Sequence, residues 1–515
     1  MSTPTGQASL PDSKDANLPR YCLFVAFVSV LSSFQNGWNT SVTNVPEHVI
    51  RSCGSRNKEY WLPNCLPMNN LLWGFVVANY ALGGLIGGLS AGYLQTRLGR
   101  RRTLMVNNIN FLLGALILGV SVNPSMFAIG RILTGIGSGI GTVTVPTYLG
   151  EIATINARGF FGTINSLFIV IGILVAQLTG FLLDYNPGWR ILLTLTAVPA
   201  LAQLLLLPLC VETPRYLVSQ HKIDEAKETL KRLRHGFVVD KEFEEIVEGQ
   251  REIEVKASGE SLQENRVITV SKSLTFDVDK EFEEIVEGKR EIEVKASGES
   301  LQENRVITVR KSLTFLGLFK GPLYRKMALI CLGLSALQQL CGINGIIFYS
   351  TAIFSNAFHE KAKYATLGIG AIVVIATASS LGLIDKKGRR ALLLSSELGM
   401  TVFTFFVASF SIGLGPIPFL IIPELAPTHS ISATASASMG LNWFCNFVVC
   451  FVFPVFAEAL QDWTFLVLAI ITGVGFALTF IFVPETKGRS IEAIHREIRG
   501  SKVVLDNGSD VSATV

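Results

Sequence analysis

Ser335-Ala-Leu-Gln-Gln-Leu-Cys-Gly-Ile-Asn-Gly-Ile-Ile-Phe-Tyr-Ser-Thr351 lies in an apolar run that begins near residue 326, yet it carries two adjacent glutamines and an asparagine. An amide is costly to bury without partners, so three of them in one hydrophobic stretch need a reason. The run is long enough to cross a bilayer, which takes about 20 apolar residues. Similar runs fall at 21–45, 71–93, 104–122, 125–148, 159–183, 190–210, 365–384, 391–424, 435–457 and 463–483. The 515 residues are 49% hydrophobic and only 16% charged, with a mean hydropathy of +0.44. Soluble domains carry about a quarter charged residues. These properties predict an all-α, multi-pass membrane protein and exclude a soluble one.

The sparse charge is placed, not scattered. Lys and Arg gather on the cytosolic side of membrane proteins. Arg97, Arg100, Arg101 and Arg102 follow the second run, Arg158 separates the fourth and fifth, and Lys386, Lys387, Arg389 and Arg390 follow the eighth. Lys487, Arg489, Arg496, Arg499 and Lys502 follow the last. Arg51, Arg56, Lys58, Lys361 and Lys363 on the opposite side dilute the contrast. The expected organisation is a cytosolic tail over 1–20 and an N-terminal bundle over 21–210. A cytosolic segment over 211–325, a C-terminal bundle over 326–483 and a cytosolic tail over 484–515 follow. Residues 1–20 lack the apolar core of a cleaved signal peptide, so the first span is expected to stay as a signal anchor.

Two features disturb this regularity. Asp240-Lys-Glu-Phe-Glu-Glu-Ile-Val-Glu-Gly249 recurs as Asp279-Lys-Glu-Phe-Glu-Glu-Ile-Val-Glu-Gly288, and the copies run over 240–276 and 279–315. They differ only at Gln250/Lys289 and Ser271/Arg310. Structural repeats diverge and stack through an apolar face; this pair is too identical and too polar, and reads as a recent duplication or a gene-model error, with one helical copy and one expendable copy. The run at 391–424 is the second. It is too long for one crossing and too short for two full ones with a turn, so 11 or 12 spans are open. Two shortened crossings keep the basic C-terminus inside.

Six cysteines (Cys22, Cys210, Cys331, Cys341, Cys445, Cys450) lie in or beside apolar runs and read as packing residues. Cys53 and Cys65 share the polar loop after the first span and are a candidate disulfide if that loop faces an oxidising exterior. No metal-ligand cluster, phosphate-cradling loop or nucleophile–base arrangement stands out. No enzyme activity, catalytic residue, cofactor or metal is expected.

The two halves echo each other. Gly99-Arg-Arg101 follows the second run and Gly388-Arg-Arg390 the eighth. Val211-Glu-Thr-Pro-Arg215 closes the first half and Val483-Pro-Glu-Thr-Lys-Gly-Arg489 the second. Glu151 and Glu424 end corresponding runs, the latter containing Gly415-Pro-Ile-Pro418. Matched sets of this kind imply two bundles related by a parallel repeat. With Gly130-Arg131, Pro146-Thr-Tyr-Leu-Gly-Glu151, Arg158-Gly-Phe-Phe-Gly162, Gly188-Trp-Arg190, Gln338-Gln-Leu-Cys-Gly-Ile-Asn344 and Asn442-Trp443, the chain resembles a facilitative sugar transporter of the sugar-porter branch of the major facilitator superfamily, over about 21–490.

That resemblance implies a fold of two six-helix bundles and hexose transport by alternating access in a lipid bilayer, at the plasma membrane and as a monomer, with no nucleic-acid partner. It implies a sugar site of Gln338, Gln339, Asn344, Gln177, Phe419, Asn442, Trp443 and Ser166. Amides suit a sugar because they donate and accept without charge. The alternative for the three amides is cross-helix bonding, a common use of polar residues in membranes. The resemblance also implies gating pairs among Arg97, Arg101, Glu151, Arg158, Glu212, Arg215, Arg389, Glu424 and Glu485. Arg97 and Arg101 are expected to pair with Glu151 and Glu212, and Arg389 with Glu424.

Several positions depart from the family pattern. Ser166 stands for a usual glutamine, Val373 for an asparagine, Ser411 for a glutamate and Phe419 for a tryptophan, and Ser335-Ala-Leu337 replaces the glucose-selective signature. Asn39 stands where proton-coupled relatives carry aspartate, and Glu397 is the one acidic residue placed inside a run. An intramembrane titratable group is the requirement for proton coupling, so passive uniport is the expectation. A non-transporting sensor or decayed paralogue, and a proton-coupled symporter, are the alternatives.

Overall fold

The structure is a computed structural model that describes residues 19–51, 62–154, 157–235, 237–258, 268–269, 306–307, 322–400, 406–425, 431–461, 463–486 and 494. The N-terminal half contains α1 (Arg20–Ser41), the short α2 (Glu47–Arg51), α3 (Asn70–Leu98), α4 (Arg100–Gly119), α5 (Pro124–Ile152), α6 (Arg158–Leu182), α7 (Gly188–Thr194) and α8 (Ala197–Leu206). Outside the bundle follow α9 (Pro214–Ser219), α10 (Ile223–Leu233) and α11 (Asp240–Ser258). The C-terminal half contains α12 (Pro322–Leu340), α13 (Ile343–Phe358), α14 (Ala362–Lys387), α15 (Arg389–Met400), α16 (Phe406–Ile412), α17 (Ile417–Leu425), α18 (Ile431–Leu460) and α19 (Trp463–Phe482). Nine described helical segments are long and apolar enough to cross a membrane. α1 has the length but carries Ser29, Ser32, Ser33, Gln35 and Asn39, all buried against its bundle. This is an integral multi-pass architecture.

Local chemistry sets the helix ends. Asn69 and Asn123 accept bonds from Leu72 N and Met126 N at 2.8 Å each, the side-chain cap that satisfies an orphan N–H. Within the first bundle α3 lies so close to α5 that a Cβ on Gly135 would collide with the Tyr80 carbonyl, an approach only small residues permit. The bundles meet along α3 with α18, and α6 with α14, with a smaller contact of α1 on α13.

The C-terminal half resolves the 34-residue run. α15 and α16 form an antiparallel pair: Ser396 Oγ donates to Ser409 O at 2.8 Å and accepts from Leu414 N at 3.1 Å. Two short segments thus replace one long span, and the five residues joining them lie outside the described ones. At 1.5 Å per residue the 12 residues of α15 reach about 18 Å.

The first copy of the duplication opens α11. Its Asp240 pairs with Lys227 at 2.9 Å, its Glu242 with the buried Arg234 at 2.7 Å, and its Phe243 joins the cluster of Leu217, Val218, Ala226 and Leu230. Ile268–Thr269 (β1) pairs antiparallel with Val306–Ile307 (β2), setting Ile268 opposite its counterpart Ile307 in the second copy. Most of the second copy lies outside the described residues. So does Cys53; Cys65 is disulfide-bonded, and the six other described cysteines are free and buried.

Candidate functional site

The opening amides sit where two helices break. α12 ends at Leu340, Gly342 takes φ +90°, and α13 starts at Ile343. A left-handed glycine of this kind ends a helix without steric cost. Gln338 and Gln339 therefore occupy the last turn of one helix and Asn344 the first turn of the next. The second break lies between α16 and α17, at Gly413–Pro416. In a continuous helix the Leu414 carbonyl would accept from residue 418, but Pro418 has no N–H. Gln338 fills that role: its Nε2 donates to Leu414 O at 3.0 Å and Gly415 O at 2.6 Å.

Asn442 of α18 completes the network. Its Nδ2 donates to Gln338 Oε1 at 2.7 Å and to Ser335 O at 3.0 Å. Gln339 Nε2 donates to Asn442 Oδ1 at 3.1 Å, and Gln339 Oε1 accepts from Asn344 Nδ2 at 2.5 Å. Gln338, Gln339 and Asn442 are buried; Asn344 is half-buried, and its Oδ1 accepts no bond from the described residues. The amides thus do bond across helices, the alternative weighed above, and they do so as one uncharged set.

The other expected sugar-site residues are dispersed around this set. Trp443 follows Asn442 on α18, stacks edge-on with Tyr80 of α3 at 5.9 Å, and leaves its buried Nε1 without a partner among the described residues. Gln177 of α6 is fully buried, and among the described residues neither its Nε2 nor its Oε1 has a partner. It lies against Gly370 of α14. Buried polar groups without partners are rare enough to need an explanation. Ser166 is half-buried on α6, Phe419 is 40% exposed on α17, and neither joins the amide network.

The gating residues are arranged differently from the expectation. Glu151 pairs with Arg100 at 2.7 Å, not with Arg97 or Arg101. Arg97 lies over the Tyr93 ring at 5.5 Å, and Arg101 Nη1 donates to Cys210 O at 2.8 Å. Among the described residues Glu212 meets no guanidinium in an ion pair. Its Oε1 accepts from the backbone N–H of Arg100 (2.9 Å), Arg101 (3.2 Å) and Thr213 (3.0 Å), and its Oε2 from Arg101 N (3.1 Å). The carboxylate caps α4, whose first N–H groups are otherwise orphaned and carry a partial positive charge. Burial raises the Glu212 pKa above its ordinary range, opposed by these N–H bonds and by the Arg100 charge.

Glu485 repeats the arrangement in the other half. It accepts from Arg389 N and Thr486 N at 3.0 Å each and from Arg390 N at 3.1 Å. Gly99 (φ +84°) and Gly388 (φ +92°) provide the turn in both halves. Arg215 is exposed. The side chains of Arg158 and Glu424 lie outside the described ones, and with them the expected Arg389–Glu424 pair.

Polar bonds between the halves gather at the end opposite these glycine-arginine turns. Asn44, just past α1, donates to Ile347 O at 2.6 Å and Ser350 Oγ at 2.7 Å and accepts from Thr351 N at 3.1 Å. Asn70 donates to Glu458 at 2.6 Å. Lys363 of α14 pairs with Asp184, which follows α6. Sequence reasoning missed all three contacts; the one signal was Asn44 itself, an amide placed straight after a span. In the centre, the buried Arg131 donates to the Asn39 carbonyl at 2.7 Å and lies over the Tyr80 ring at 4.6 Å. Among the described residues no carboxylate pairs with it. Nor do any three His, Cys, Asp or Glu side chains assemble as a metal site there.

This architecture is shared with solved transporters. The xylose transporter XylE from E. coli, in a partially occluded inward open conformation, superposes with a TM-score of 0.68 at 21% identity, covering 92% of this chain and all of that one. The same symporter with bound 6-bromo-6-deoxy-D-glucose, described as a major facilitator superfamily protein, gives 0.66. This likeness establishes the major facilitator fold. In sequence, the chain is 34% identical to facilitated glucose transporter member 3 of Oryctolagus cuniculus, over 93% of each chain. It is 32% identical to member 4 of Mus musculus, over 94% of this chain and 92% of that one. The "Sugar (and other) transporter" family model matches residues 25–275, 263–408 and 398–498. With the matches spanning both bundles, the chain belongs to the sugar transporter family.

Proposed function

We propose that this chain is a facilitative hexose carrier of the plasma membrane, working by alternating access with the glycine-arginine turns on the cytosolic side. The observation that carries the reading is the uncharged amide set Gln338–Asn442–Gln339–Asn344 at the junction of two helix breaks. Each amide both donates and accepts, so hydroxyls of a polyol can exchange for these mutual bonds without introducing a charge. The unpartnered Gln177 amide and Trp443 Nε1 are further groups that a hydroxyl would satisfy. Relatives that are named facilitated glucose transporters over nearly their whole length support the same class of substrate.

Uniport follows from what surrounds Arg131. Asn39 offers it a backbone carbonyl, and the Asn39 side chain turns back to Gln35 O at 2.9 Å. Glu397 is held by Thr479 at 2.7 Å within the C-terminal bundle. The carrier closes at the exterior through Asn44, Asn70 and Asp184 and releases sugar towards the cytosol.

The test is uptake of labelled glucose and fructose in yeast lacking hexose carriers. Saturable uptake that disappears in Gln338→Ala supports the proposal. Protein at the cell surface that moves neither sugar overturns it.

A further inference from the structure

The pair Asp184–Lys363 is the one described contact between the bundles in which both partners are charged. Asp184 follows the end of α6 by two residues, and Lys363 is in the first turn of α14. These helices form one of the two long seams between the halves. The Asp184 side chain is only 7% exposed, against 36% for Lys363, and its Oδ1 is buried without a partner. One turn away the rings of Phe181 and Tyr364 meet across the same seam at 5.1 Å. The carboxylate is therefore buried where the two bundles meet, with the Lys363 cation beside it to offset its lost hydration.

We propose that Asp184 and Lys363 form a latch that sets how readily this end of the carrier opens, an inference that rests on the alternating-access reading above. A buried carboxylate stripped of its cation is strongly unfavourable. Separating α6 from α14 returns it to water. With Lys363 present, the closed form holds a matched pair; without it, the closed form holds an isolated charge and the equilibrium moves towards opening. Lys363 is thereby a positioning residue. It is also one of the basic residues that blurred the charge asymmetry of the sequence, and the latch gives it a separate task.

Ser350→Cys supplies the reporter. Ser350 is fully buried at this end and bonded to Asn44, so a cysteine there reacts from outside only when the end opens. Intact cells carrying S350C are treated with a membrane-impermeant maleimide, with the unsubstituted chain as background. K363A in the S350C background is expected to label three- to tenfold faster. The charge exchange D184K/K363D is expected to return labelling to within twofold of S350C alone, a rescue that a merely structural effect would not give. Lys363→Gln replaces K363A if the latter fails to reach the surface. Unchanged labelling in the neutral variants, or an exchange variant as fast as K363A, overturns the latch. Labelling requires no transport, so absent uptake with a normal labelling pattern sinks the hexose reading and leaves the latch standing.

Discussion

Gln338→Leu tests the amide network most directly when it is combined with Pro418→Ala. Gln338 makes three bonds, two to the Leu414 and Gly415 carbonyls and one from Asn442. At roughly 1 kcal/mol net for each, its loss costs about 3 kcal/mol. In purified protein this shortens the inactivation half-life at fixed temperature by up to about two orders of magnitude, since about 1.4 kcal/mol is a factor of ten and only the part of the loss felt before the unfolding barrier reaches the rate. Pro418→Ala restores the N–H that the Leu414 carbonyl lacks, while Gly415 and Asn442 gain nothing. The penalty of Gln338→Leu in that background is therefore smaller by about 1 kcal/mol, a fivefold recovery after the effect of Pro418→Ala alone is subtracted. Glucose adds a second reading: it protects the starting protein against heat, as any ligand of the folded state does, and fails to protect Gln338→Leu. Strictly additive penalties would refute the claim that Gln338 stands in for the missing backbone donor.

Other outcomes follow from the same geometry. Glu212→Ala and Glu485→Ala each leave backbone N–H groups at a helix start without an acceptor, and each lowers stability by about 1–3 kcal/mol, measurable as heat sensitivity in detergent; a neutral result for both would dismiss the capping role. Gly99→Ala forces a Cβ at φ +84° into the Glu212 carboxylate and the Tyr216 ring, costing at least about 1 kcal/mol, and a stable, fully active variant would contradict the turn geometry. A protonophore leaves initial hexose uptake unchanged, because Asn39 presents no carboxyl to Arg131; an immediate collapse would restore the symport alternative. Deleting 240–278 joins Val239 to Asp279 and supplies the same Asp, Glu and Phe to α9 and α10, so uptake persists, and its loss would show the duplication to be functional.

Much of the architecture was legible because membrane spans leave a coarse record. Apolar length marked the crossings, and the twin Gly-Arg-Arg and Glu-Thr pairs announced two related halves. The partners in those motifs were not legible. Opposite charges in a sequence invite an ion pair, whereas Glu212 and Glu485 bind backbone N–H groups, which every residue carries and no motif advertises. The same holds for Gln338: the amide stood out, but its target is a carbonyl released by Pro418, some 80 residues downstream. Asn44 was a weak signal because a lone amide beside a span has no pattern, and Lys363 was read as noise in the charge count. Asn344 stood out as an amide in an apolar run and Gln177 only through family likeness, yet only coordinates distinguish the unpartnered amide from the bonded one.

The truncated hairpin of α15 and α16 reaches beyond the protein into its lipid. Ala391, Ser395 and Leu398 form an exposed strip on α15, whose described residues reach about 18 Å against a hydrocarbon layer of about 30 Å. Acyl chains cannot leave a vacuum beside a short wall, so the two leaflets must pinch towards each other along that flank. Hydrophobic mismatch of this sort carries an elastic cost per ångström, relieved by short-tailed lipids. The C-terminal half is therefore expected to work best in thin bilayers, and reconstitution in lipids of graded tail length, with an uptake optimum at short tails, is the check.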